Sequence, residues 1–428
     1  MSHASKISVV VASVLAGFLA AACQTSNTTG RGTDMAAASG GLKIGTLLPT
    51  TGDLSSIGQN MPVAAKLAVE TVNECGGVNE QSVTLINEDS QTDPNSGAAA
   101  MSKLAEADQV AAVVGAFASS VSSAAVDVAV RNQVMFVSPG STSPVFTERA
   151  KKGEFNGYWA RTAPPDTYQA QALAKLAKQR GFERVSTVAI NNDYGVGFEQ
   201  VFVQSFKELG GEVVNDNNPV RYDPKATTLD SEAAAAFEGN PGAVVSILYA
   251  ETGSLLLKSA YQQGLMENST VMLTDAVKSE KFTKQVGQTR GDRSLIAGAL
   301  GTVPGADGEA LSNFTSLWKE ETGKEVTAFV PHTWDATVLT MLAAEAADQN
   351  TGSGIKSQIR AVSNSPGQQV SDVCQALELV RNGKEINYQG ASGNVNFDEN
   401  GDVVGSYDVW TVKKDGSINV IDQVGTED

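Results

Sequence analysis

The sequence predicts an α/β protein of two lobes, each a doubly wound parallel sheet, and three observations carry that expectation. From residue 43 onward, short apolar runs of strand length alternate with amphipathic helical stretches; strands alternating with helices imply parallel sheets covered on both faces. The alternation breaks at 160–166 (ARTAPPD), where two prolines interrupt regular structure, and again around 299–305 (ALGTVPG). At 428 residues the chain is long for a single core. Two such sets, with a return after each break, imply two similar lobes joined by several crossings, and a cleft between lobes is a preferred ligand site.

The first set opens with a strand at 43–49 (KIGTLLP). Residues 61–72 have helical periodicity, with Val63, Leu67, Ala68 and Val72 sharing much of one face, and Gly76-Gly77 stops the helix. A strand at 83–86, a helix at 95–107 and strands at 111–114 and 134–137 follow. The second set reads as helix 167–180, strand 185–190, helix 197–209, strand 243–248, helix 252–263 and strand 271–274. Long helical stretches lie near 334–347 and 373–381. The last part differs: 394–398 and 404–412 alternate like strands, and 398–402 (DENGD) and 414–417 (KDGS) are turn sequences.

The stretch 113–144 carries the most chemistry. Its two strands each end in a small, hydroxyl-rich loop, 118–123 (ASSVSS) and 139–143 (PGSTS). In open α/β sheets, ligands sit outside the carboxyl ends of the strands. The first loop leads into the helical stretch 124–131. Free N–H groups at a helix start, joined by serine hydroxyls, suit a carboxylate. The second loop offers carbonyls and the Thr142 hydroxyl, which suit an ammonium, so the pair points to an amino-acid zwitterion. The plainer alternative is that these serines and glycines only make tight turns.

The formal charge of -17 argues against a nucleic-acid partner, which needs a basic patch. Lys6 precedes a mostly apolar or small run, 7–22, that stops at Cys23. This reads as a signal peptide over 1–22, too short and too rich in alanine and serine for a membrane span. Residues 19–23 (LAAAC) resemble the bacterial lipoprotein processing box, with Ala20 where that box more often has leucine. The resemblance implies a lipid anchor on Cys23 as the only membrane attachment; ordinary cleavage nearby is the alternative. The polar segment 23–42 reads as a flexible tether. If lipid consumes Cys23, Cys75 and Cys374 remain, and an oxidising compartment permits a disulfide between them. Two buried free thiols are the other reading.

Several motifs, in this order and spacing, resemble the type I periplasmic-binding fold. They are 44–58 (IGTLLPTTGDLSSIG), 73–78 (NECGGV), 114–120, 137–144 (VSPGSTSP), 161–166, 192–197 (NDYGVG) and 388–398 (YQGASGNVNFD). More narrowly, the chain resembles the leucine/isoleucine/valine and neutral amino-acid binding proteins of ABC importers. The resemblance implies three crossovers. The first lobe would comprise 43–163 and 300–400, the second 164–299 and 401–428. It also implies a ligand shell. Ser119 would hold the carboxylate; Gly140, Ser141 and Thr142 would form the neighbouring loop; Tyr194 and Tyr249 would give aromatic contacts; Asp275 would meet the ammonium. The family often has glutamate at the Asp275 position and an aromatic where this chain has Ile57, and both departures bear on branched-chain specificity.

The residues agree on their own terms. Asp275 follows the apolar strand 271–274, and a carboxylate buried there needs a cationic partner. Otherwise it is an exposed cap before Ala276. Tyr194 otherwise packs, and Tyr249 depends on strand register. Gly195-Val196-Gly197 lacks the third glycine of a dinucleotide fingerprint and reads as a tight turn. Asp398, Asn400 and Asp402 have calcium-like spacing without the closing glutamate, so a hairpin turn is the better reading. His332 is the one histidine outside the targeting segment, so a histidine-based metal site or a catalytic triad has no basis.

The expectation is therefore a non-catalytic, monomeric receptor without cofactors. It would capture a small neutral or branched-chain amino acid between its lobes and deliver it to a membrane permease served by a separate ATPase. A ligand sensor for a signalling receptor, or a binder of a small amide or other carboxylate, is the alternative.

Overall fold

The computed structural model describes residues 40–425. The expected signal peptide, Cys23 and most of the expected tether lie outside the described residues. Leu42, assigned to the tether, is fully buried, and its carbonyl accepts from the Thr84 N–H at 2.8 Å, so the folded part begins before it.

The strands are β1 (Lys43–Leu48), β2 (Thr84–Asp89), β3 (Ala112–Gly115), β4 (Met135–Ser138) and β5 (Trp159–Arg161) in the first lobe. There follow β6 (Arg184–Ile190), β7 (Glu212–Val213), β8 (Val220–Tyr222), β9 (Ala243–Ile247), β10 (Thr270–Leu273) and β11 (Leu300–Pro304). The last are β12 (Gln368–Val370), β13 (Ile386–Tyr388), β14 (Tyr407–Val412) and β15 (Ile418–Val424). The first sheet has the order β2-β1-β3-β4-β5 and is parallel throughout. The second has the order β15-β14-β11-β10-β9-β6-β7, with β8 also paired to β6. Its β6 to β11 ladders are parallel, and β14 and β15 add antiparallel strands at one edge. The small parallel pair β12–β13 stands apart.

Helices cover the sheets because the central strands are apolar on both faces: every residue of β3, β4 and β9 is buried. In the first lobe, the helix Val330–Ala347 is buried from residue 330 through 344 and packs on β3 and β4. An all-round apolar helix needs cover on every side; helices Met61–Glu74, Gly352–Ser363 and Val373–Arg381 supply it. Cys75 and Cys374, at the end of one of these and the second residue of another, are disulfide-bonded with Cα atoms 5.5 Å apart. Among the described residues, no helix is long and apolar enough to cross a membrane.

Three crossings join the lobes. The first follows β5 into helix Asp166–Gln179, which packs on helix Asp193–Glu208 and β11 in the second lobe. The expected return to the first lobe at 300 is corrected: Leu300–Pro304 stays in the second sheet, between β10 and β14, and the chain crosses after it. The third crossing runs into β14. At the joint, the Arg161 N–H donates to the Gly401 carbonyl at 2.9 Å and the Gly305 N–H to the Ser406 carbonyl at 2.9 Å. The expected strand at 394–398 does not form. Phe397 is buried, and its backbone N–H and carbonyl pair with the Asn364 side chain instead of a neighbouring strand.

Candidate functional site

The site lies where the carboxyl ends of β3 and β4 face those of β6, β9 and β10 across the cleft. The segment 118–123, expected as a loop, is instead the start of helix Ser119–Arg131, because Ala118 takes an extended conformation (φ -71°, ψ 130°) and serves as its N-cap. The Ala118 carbonyl accepts from the Val121 and Ser122 N–H groups at 3.1 and 3.0 Å. The N–H groups of Ser119 and Ser120 precede the helical ladder and have no partner within it. They form the positive end of a 13-residue helix pointing into the cleft.

The loop after β4 is held against this helix by hydroxyls. Ser138 Oγ donates to the Ala116 carbonyl at 2.6 Å and accepts from the Ser141 N–H at 2.8 Å. Ser141 Oγ pairs with Ser122 Oγ at 2.7 Å, so Ser141 braces the loop and is not directed at the cavity. Ser119 Oγ accepts from the Ser143 N–H at 3.2 Å, which leaves its own hydrogen to donate. The Thr142 hydroxyl is buried without a partner, while its carbonyl accepts from the Asp166 N–H at 2.8 Å.

The second lobe brings the acids and aromatics. The expected turn at 195–197 is also corrected. Asn192 caps helix Asp193–Glu208 by accepting from the Gly195 N–H at 2.9 Å, so Tyr194 is a first-turn helical residue. The Tyr194 hydroxyl donates to Asp275 Oδ1 at 2.8 Å, and its ring stacks on Tyr249 with centroids 5.8 Å apart. Gln169 Nε2 donates to the same Asp275 oxygen at 3.1 Å. Asp275 is 2% exposed, so it is no solvent-facing cap, and these hydrogen-bond partners are neutral. Burial pushes its carboxyl up, only partly offset by Tyr194 and Gln169.

Asp166 was not foreseen. It is the first residue of its helix, fully buried, with both carboxylate oxygens lacking partners. Burial holds its carboxyl well above the ordinary range, and the Asp275 charge adds to the shift. The Arg161 guanidinium offsets part of the Asp166 shift, whereas Asp275, which lines the cavity, has only neutral hydrogen-bond partners and is the acid poised to receive a cation.

Ser119, Gly140, Tyr194, Tyr249 and Asp275 line one nearly closed cavity of about 10 Å³, far below the range of roughly 300–1,000 Å³ common for drug-sized ligands. Leu54, Phe117 and Ala276 complete the apolar part of its wall. Ile57 is buried but is not among the lining residues; Leu54, one helical turn earlier, takes that place. Phe117 lies against Phe329 edge to face at 4.8 Å. His332 is buried, and burial lowers its imidazole to about 3, so it is neutral. Asp402, once a candidate cation ligand, is occupied by Arg161 and Thr147 at 2.6 Å each.

A helix terminus and a hydroxyl on one side, and an acid and two stacked tyrosines on the other, define a two-lobed protein that binds a small ligand in its cleft. Residues 60–415 match the family described as the receptor family ligand binding region, and the chain belongs to that family. It is 26% identical over 361 residues to the chemotactic signal transduction system substrate-binding protein BasB of Halobacterium salinarum, covering 83% of each chain. Its fold superposes on a leucine-binding protein, LivK, from Thermotoga maritima with a TM-score of 0.75 and 26% identity, over 90% of this chain and 99% of that one. It is 24% identical over 343 residues to human metabotropic glutamate receptor 8; the match covers 71% of this chain but only 36% of the receptor. The chain is thus related to the Leu/Ile/Val-binding proteins of ABC transporters, and its relatives of this kind are binding proteins rather than enzymes.

Proposed function

We propose that this chain is an extracytoplasmic receptor that closes its two lobes on a small amino-acid zwitterion and presents it to the membrane permease of an ABC importer. One observation carries the reading: the free N–H groups at the Ser119 helix terminus and the buried Asp275 carboxyl face one cavity. The carboxylate meets the helix terminus, helped by Ser119 Oγ and Thr142 Oγ1. The ammonium meets Asp275, with Tyr194 and Tyr249 stacked beside it. The side chain is left with Leu54, Phe117 and Ala276. The leucine-binding relative supports the ligand class. Attachment through Cys23 and a monomeric state belong to the same proposal.

The test is thermal unfolding against the twenty amino acids, after the protein has been unfolded and refolded to strip carried ligand. At a thousand times its Kd, a ligand adds about 4 kcal/mol of stability. A shift confined to small neutral amino acids is expected, and no shift with any amino acid would remove the proposal. The likeness to BasB favours a second reading, handover of the closed state to a signalling receptor. Capture of a permease from membranes, against capture of a transducer, separates the two.

A further inference from the structure

The helix Ala250–Gln262 of the second lobe begins without a cap of its own. Its N-cap residue is Tyr249, whose side chain makes no capping hydrogen bond and whose ring is stacked on Tyr194. The missing acceptor comes from the opposite lobe. Asp53, in the loop after β1, accepts from the Glu251 N–H through Oδ1 and from Thr252 Oγ1 through Oδ2, the latter at 2.9 Å. Asp53 lines the cleft mouth and not the small cavity, so it stands outside the ligand shell. A second approach of the lobes lies at Ser143 and Pro144. Ser143 Oγ donates to the Asp193 carbonyl at 2.8 Å, and a Cβ on Gly197 would stand 2.9 Å from Pro144 Cδ.

We infer that Asp53 is a closure latch, capping a helix of the second lobe from the first and so setting how long ligand is held without touching it. The logic is that of any N-cap: orphan helix N–H groups gain an acceptor, here only while the lobes are together. Closure and capping become one event. Burial holds the Asp53 carboxyl above its ordinary range, so asparagine, an acceptor without the charge, is the conservative replacement and alanine the disabling one. The inference rests on ligand capture by closure, as proposed above, but the contact itself does not depend on which ligand is held.

Two measurements on the full chain test it: amide hydrogen exchange in the first turn of helix Ala250–Gln262, and the dissociation rate of L-leucine and L-alanine. Asp53→Ala is expected to speed exchange in that turn and to speed dissociation roughly twofold to thirtyfold, the range of cap deletions. Asp53→Asn restores both. Thr252→Val, which removes the other partner, reproduces part of the effect and adds little to Asp53→Ala. Unchanged exchange in Asp53→Ala overturns the latch. Wild-type protein that binds no amino acid overturns the proposed function instead, and the exchange result still decides the latch.

Discussion

Arg161 and Asp402 meet at the joint of the lobes, Nε to Oδ1 at 2.6 Å, with side chains 0% and 7% exposed. The pair ties the first crossing to the third. The same guanidinium donates through Nη1 to the carbonyls of Ser141 and Ser143, each at 2.9 Å, and through Nη2 to Thr147 Oγ1 at 2.7 Å. The loop that carries Thr142 is therefore shaped by the hinge.

Asp402→Ala leaves that guanidinium buried without its salt-bridge partner. Breaking one side of a buried pair costs about 3–5 kcal/mol, and urea unfolding should show a loss of this order. Stability equal to wild type would mean the pair is not what holds the joint.

Asp275→Asn removes the charge proposed to meet the ligand ammonium. Calorimetric titration should show affinity weakened by about 2–4 kcal/mol. An unchanged Kd would refute the role given to Asp275.

Thr142→Val separates binding from folding. The hydroxyl has no partner within the protein, so its removal should leave the melting temperature of the ligand-free protein unchanged or raised. Affinity should fall by about 1 kcal/mol, the worth of one hydrogen bond. A fall in stability with intact affinity would reverse the assignment.

Asp275 sets a pH dependence. Burial raises its carboxyl from 3.8 to about 6, so between these values the folded, ligand-free protein holds a proton that the unfolded chain has released. Ligand-free stability should therefore decline as pH rises through this window. Ligand affinity should move the other way, because the ammonium needs the ionised carboxylate. Titrations from pH 4 to 7 check both trends, and pH-independent affinity would count against an ammonium at this site.

The disulfide closes a loop across a sequence separation of 299 residues. Replacing both cysteines with serine should lower stability by up to about 5 kcal/mol. Ligand affinity should be spared, since Cys75 and Cys374 do not line the cavity. A Tm insensitive to the replacement would show that the helices around the bond hold the lobe without it.

The strands were legible because buried parallel strands are short apolar runs between breakers, and β3, β4, β6, β9 and β10 all have that form. Three differences between sequence pattern and structure share a cause: small or polar residues have the composition of loops where they begin a helix or relieve packing. Serines at 119–123 start a helix because an extended Ala118 precedes them. The glycines at 195 and 197 sit in a helix that Asn192 caps. Gly301 looked like a breaker but lies inside β11, where a Cβ would stand 2.4 Å from Trp410 Cε2, so its bareness makes room for the ring. Ser119, Tyr194 and Asp275 were readable from their places after strand ends. Asp166 was not, since an acid after two prolines has the pattern of an exposed helix start, and its burial depends on tertiary packing. Leu54 and Phe117 were hidden for another reason: which apolar residue faces a cavity depends on packing that one-dimensional periodicity does not encode.

The interleaving of the lobes has a consequence for biosynthesis. The five strands of the first sheet are complete by Arg161, but the helix that buries its inner face ends only at Ala347. The second sheet waits in turn for β14, which begins at Tyr407. A nascent chain thus presents an uncovered apolar sheet for much of its synthesis, and neither half can settle before its distant complement is made. Such an order delays a final tertiary structure until translation is nearly finished.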